Sequence, residues 1–112
     1  MSRLATKTWI DGLMRRVQTA GDFATILASG EPMGGAVLMM VRDRNRSVTA
    51  YMRSNLGDGR TAWRPLIENE PETSETLTEM LKKQRGFDPD LWVIELDVAD
   101  HARFVADLDE IS

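Results

Sequence analysis

Asp88 and Asp90 flank Pro89 inside FDPDLWVIELD, a stretch that runs from Phe87 to Asp97 and holds four carboxylates. Two carboxylates on one turn could offer oxygens to a hard cation such as Ca²⁺ or Mg²⁺. The chain lacks the twelve-residue calcium loop with its central glycine and terminal glutamate, and Asp before Pro is an ordinary turn former. The expected work of this stretch is therefore structural. Pro89 has no backbone donor and drives Asp88 out of helical geometry, so a helix stops, a strand opens and Trp92 is aimed into the core.

Arginines make the second constellation. Arg42, Arg44 and Arg46 crowd a hairpin tip, with Arg53, Arg60 and Arg64 close in sequence and Tyr51 and Trp63 available for stacking. Guanidinium forks suit phosphate or carboxylate partners, and aromatic faces suit bases or planar ligands. Arg42, Arg44, Arg46, Tyr51, Arg53 and Trp63 are accordingly the candidate ligand or partner residues, weighed against a plain solvated hairpin.

Nothing else completes a reaction centre. Gly57, Asp58 and Gly59 lack the GK[ST] of a phosphate loop and read as an Asp-Gly turn. His101 is the only histidine, and no serine or threonine is tied to it by a motif, so a triad cannot be argued. With zero cysteines there is no disulfide, thiolate nucleophile or cysteine-built zinc site. No catalytic residue, metal ligand or cofactor is assigned.

The elements that must position these residues follow from periodicity. Ile10, Leu13, Met14 and Val17 recur at helical spacing, predicting an amphipathic helix over 4–20 that ends at Gly21. Phe23 to Ser29 reads as a short strand. Gly35 to Val41 is apolar on both alternating faces, as in a central strand. Asn45 is the residue best suited to a left-handed turn before a returning strand, with Val48, Ala50 and Met52 inward and Ser47, Thr49, Tyr51 and Arg53 towards solvent. A fourth strand over Thr61 to Ile67 and a helix over Glu72 to Arg85 precede the strand from Leu91 to Leu96, and Thr76 and Glu79 have capping-box spacing. Residues 101–112 form an acidic segment, loosely docked or briefly helical through Phe104, Val105 and Leu108. The order α-β-β-β-β-α-β predicts an α+β single domain over 1–112, with a mostly antiparallel sheet of about five strands and two main helices on one face.

Composition narrows the classes of function. The chain has 42% hydrophobic and 29% charged residues, as a globular domain does. Its formal charge is −4, divided as +1 over residues 1–41, +4 over 42–64 and −9 over 65–112. A net acidic chain argues against nonspecific attraction to nucleic acid or anionic lipid. Neither a membrane span nor the apolar stretch and cleavage site of a signal peptide is seen, so a cytoplasmic protein is expected.

Trp9, Arg15 and Arg16 in the first helix, Gly34 to Leu38, and FDPDLWVIE from Phe87 to Glu95 resemble a family of small bacterial proteins classed as a domain of unknown function. The resemblance spans nearly the full chain. It implies a bacterial, single-domain context and brings no activity, cofactor or catalytic residue with it. The leading expectation is a non-enzymatic module that binds another protein or itself, followed by an anion or nucleic-acid binder using the arginine hairpin. An enzyme ranks third.

Overall fold

A computed structural model describes residues 5–55 and 61–111. The expected turn at Gly57, Asp58 and Gly59, and Arg60, lie outside the described residues. The elements in order are α1 (Thr6–Thr19), β1 (Phe23–Ala28), β2 (Val37–Arg42), β3 (Ser47–Asn55), β4 (Thr61–Pro71), α2 (Glu75–Phe87), β5 (Trp92–Asp97) and α3 (His101–Ile111). The fold is α+β, as expected, with a third helix formed by the acidic terminal segment.

The sheet runs β1-β5-β2-β3-β4. β5 inserts between two strands made long before it, antiparallel to β1 and parallel to β2. β2, β3 and β4 form an antiparallel meander. Val37 to Val41 and Trp92 to Ile94 are buried throughout because these two neighbours occupy the centre and are covered on both sides.

That double coverage corrects the expectation that the helices share one face. α1 and α3 pack Ile10, Leu13, Val17 and Leu108 against Met39, Val41, Ile94 and Leu96. α2 packs Leu77, Met80 and Leu81 on the opposite side, against Leu38, Met40, Ala50 and Val93. Two strands apolar on both faces need a layer on each, since either face left wet would expose core-sized side chains. Thr49 and Tyr51, expected to meet solvent, are consequently 4% and 8% exposed.

Two local signals also resolve differently. α2 begins at Glu75, inside the expected span from Glu72, and its cap is Ser74, whose side chain accepts from the Thr76 amide, in place of the Thr76 and Glu79 spacing. In the β2–β3 turn, Asp43 Oδ1 accepts from the amides of Asn45 and Ser47, and this closure gives the left-handed φ of 63° to Arg46 instead of Asn45. β4 runs on to Pro71 through two irregularities in its pairing with β3.

Candidate functional site

The sheet divides the arginine constellation between its two faces. Arg42 follows Leu38 and Met40 on the α2 side, where Glu95 and Asp97 follow Val93. Its guanidinium lies 2.9 Å from Glu72, 3.1 Å from Glu95 and 3.8 Å from Asp97. Arg46 donates from Nε and Nη2 to the other Glu72 oxygen. Glu72 therefore holds two of the three hairpin arginines. Arg44 stands exposed and makes no ion pair with a described residue.

Tyr51, Arg53 and Trp63 lie on the α1 and α3 side, away from Arg42. Arg53 and Trp63 are directly paired across β3 and β4. Arg53 caps the ring of Trp9 at 4.5 Å, and Trp9 leans on Trp63 with ring centres 5.5 Å apart. This brings α1 onto the far strands through aromatic and cation–π contact. Tyr51 Oη lies 2.9 Å from His101 Nε2. Burial, reinforced by the negative charge of Glu68, pushes the Tyr51 phenol above its ordinary value of 10.0. The imidazole tautomer sets the direction: the Tyr51 O–H donates to a bare Nε2, and Oη accepts from Nε2–H. His101 thus pins α3 to the sheet. Its signal was invisible locally because its partner lies 50 residues away.

The Asp-Pro-Asp turn does architectural work. Asp88 ends α2 in extended geometry, and its Oδ1 accepts from the Asp90 amide. The Asp90 carbonyl accepts from the Glu31 amide at 3.0 Å, and Trp92 Nε1 donates to the Glu31 carbonyl at 2.8 Å. Glu31 in turn closes its own loop by accepting the amides of Met33 and Gly34. A Cβ on Gly30 would come within 2.0 Å of the Asp90 oxygen, and one on Gly35 within 2.7 Å. The 30–35 loop and the 88–92 turn are backbone packed on backbone, and that closeness is what these glycines permit. Asp88 and Asp90 do not form a convergent pocket with a third acidic or imidazole ligand among the described residues.

Two features escaped the sequence reading. A cleft of about 330 Å³ between α1 and α3 is lined by Arg16, Asp22, Asp100, Arg103, Phe104 and Asp107, two arginines and three aspartates beside one aromatic ring. The other is the place of β1, the strand expected over Phe23 to Ser29, at the outer edge of the sheet. The six residues of β1, FATILA, carry no charge. Ala24 and Ile26 turn inward, while Phe23 and Leu27 remain 73% and 47% exposed. The opposite edge, β4, carries Arg64, Glu68 and Glu70, with Pro65 inside and Pro71 at its end. Charges, prolines and bulges are the usual defences of a sheet edge, and β1 has only a bulge near Leu27. The missing charges were the available signal, but a neutral strand reads the same at a centre as at an edge.

A family model described as a protein of unknown function, DUF1491, matches residues 4–106. The chain belongs to the DUF1491 family. A crystal structure of a DUF1491 protein from Caulobacter crescentus CB15 is 30% identical, with a TM-score of 0.77 over 88% of this chain and 91% of that one. The solution structure of protein Atu0922 from A. tumefaciens is 26% identical, with a TM-score of 0.74 over 88% and 89%. An NMR structure of a DUF1491 protein from C. crescentus CB15 gives 29%, 0.76, and 89% and 90%. No curated protein matches the chain. The resemblance to a bacterial family of unknown function seen in Trp9, Arg15, Arg16, Gly34 to Leu38 and FDPDLWVIE thus holds, and the last two segments meet where the Trp92 amide donates to the Ala36 carbonyl at 2.9 Å and where Gly35 packs on the Asp90 carbonyl. Among the described residues no helix is long and apolar enough to cross a membrane.

Proposed function

We propose that this DUF1491 protein is a non-enzymatic cytoplasmic interaction module that docks protein along β1 by strand addition. What supports this reading is one contrast: β1 is a neutral edge strand displaying Phe23 and Leu27, while β4 is charged and proline-bearing. An exposed edge offers a row of unpaired backbone donors and acceptors, and an incoming strand gains main-chain hydrogen bonds plus pockets for alternate side chains. The arginine hairpin has weaker support as an anion or nucleic-acid site. Arg42 and Arg46 are already matched to carboxylates, and Arg53, Tyr51 and Trp63 lie across the sheet from them.

Affinity capture from the native cell, run in parallel with wild-type and Phe23→Lys baits, tests the reading. Phe23 is exposed, so the variant keeps its fold while placing a charge on the edge. A protein, either another chain or untagged copies of this one, is expected on the wild-type bait and lost from the variant. Identical captured sets, or recovery of nucleic acid alone, would sink the reading.

A further inference from the structure

Building on the edge reading of β1, we propose that its occupant is a second copy of this chain, paired antiparallel about a two-fold axis through Thr25. An antiparallel edge contact is self-complementary under two-fold symmetry, so each copy offers the same surface it needs. Residues opposite one another in a ladder must share a face, which places the axis on a residue and not between two. Centred on Thr25, the register sets Phe23 against the partner's Leu27 and Thr25 against the partner's Thr25. Ala24 meets the partner's Ile26 on the other face, and the bulge between Ile26 and Ala28 ends the regular register there. The two large exposed side chains of β1 thus cover each other twice, around a central Thr–Thr pair of a favoured kind.

Neighbouring registers do worse. An axis on Ile26 sets Phe23 against the partner's Ser29 and leaves its ring without an apolar partner. An axis on Ala24 sets Asp22, which already accepts from the Ala99 amide, against the partner's Ile26. With the axis on Thr25 no charge faces a like charge, because β1 carries none. The joined sheet would run β4-β3-β2-β5-β1 and then the same order reversed, so both of its outer strands would be β4. Pairing therefore removes the less defended edge, which has only its bulge, and leaves the charged, proline-bearing one.

The full chain tests this directly, since it has zero cysteines and a single introduced thiol is an unambiguous reporter. Sedimentation up to about 100 µM is expected to show a dimer. Thr25→Cys should oxidise to a covalent dimer, because directly opposed residues sit about 4.5–5.5 Å apart, within disulfide range. Phe23→Cys should not, because two copies of residue 23 would lie roughly 13 Å apart along the strands. Thr25→Lys and Phe23→Lys, both at exposed positions, should keep the circular dichroism of the wild type and raise the dimer dissociation constant about 100-fold or more. A monomer throughout that range overturns the second copy as occupant while leaving the edge reading to the capture comparison. A dimer indifferent to both lysines overturns the edge reading as well, and equal cross-linking at residues 23 and 25 overturns the register.

Discussion

Gly30 and Gly12 should respond oppositely to the same added methyl group. Gly30 lies where the 30–35 loop touches the 88–92 turn, and a Cβ there meets the Asp90 oxygen at 2.0 Å and two carbonyl carbons at 2.8 Å. All three atoms are backbone, so no side chain can swing aside. Bringing the first contact back to 3.0 Å moves one segment by about 1 Å, enough to pull apart the 3.0 Å bond from Glu31 to Asp90 and the 2.8 Å bond from Trp92 to Glu31. Two hydrogen bonds at about 0.5–1.5 kcal/mol each, with an overpacking cost of about 1–3 kcal/mol, give a destabilisation of about 2–6 kcal/mol for Gly30→Ala. Gly12 sits in the middle of α1, and a Cβ added to it would meet nothing within 4 Å. Gly12→Ala should therefore stabilise by about 0.8–1 kcal/mol, the helix propensity difference. Urea unfolding with a shared slope reads both, and thermal melts should move roughly 4 °C or more per kcal/mol. A Gly30→Ala midpoint equal to that of the wild type would show that the close approach is not rigid and would refute the role given to this contact.

Two further outcomes follow from charge. Tyr51 is the only tyrosine, and its folded pKa is raised by burial and by Glu68, so the native state keeps its proton where the unfolded chain has released it. Stability should then be level in this respect below pH about 10 and fall as pH rises from there through the folded pKa. Tyr51→Phe should remove that component of the alkaline loss, and tyrosinate absorbance should show wild-type ionisation delayed until unfolding. A tyrosinate titration at the ordinary value in the folded protein would contradict the assignment. Arg42→Ala should cost about 1–2 kcal/mol, discounted for partial exposure, because it leaves Glu72, Glu95 and Asp97 facing one another. Arg44→Ala should stay within about 0.5 kcal/mol, and equal midpoints for the two variants would count against the Arg42 cluster.

The parts legible in the sequence were those set by short-range pattern. The apolar faces of Gly35 to Val41 marked a central strand, Leu91 to Leu96 marked a core strand, and Asp88-Pro89 marked the stop of α2. Where those strands paired was not legible, because parallel pairing depends on a crossover and not on any local residue. The face taken by each helix was hidden for the same reason. Tyr51 looked solvent-facing in an alternating strand until α1 and α3 were laid over it. The arginine set was legible as composition but not as geometry. Arg42 and Arg53 occupy opposite faces of adjacent strands, and Glu72 reaches Arg46 from 26 residues away. β1 looked like any neutral strand until its place at the edge was known.

The late arrival of β5 also governs how the chain must fold. The bond from Trp92 to Glu31 closes a span of 61 residues, and that from Ala99 to Asp22 one of 77. The β2–β3–β4 meander can zip from local contacts, but β1 has no partner on either side until β5 has been synthesised and threaded beside it. Such high contact order slows folding, and during synthesis the neutral FATILA segment is exposed along its whole length. A ribosome paused before Trp92 would hold a half-sheet with an unpaired hydrophobic ribbon, the species from which chaperone dependence and aggregation arise. Native β5 is thus the clasp that ends the chain's most vulnerable interval.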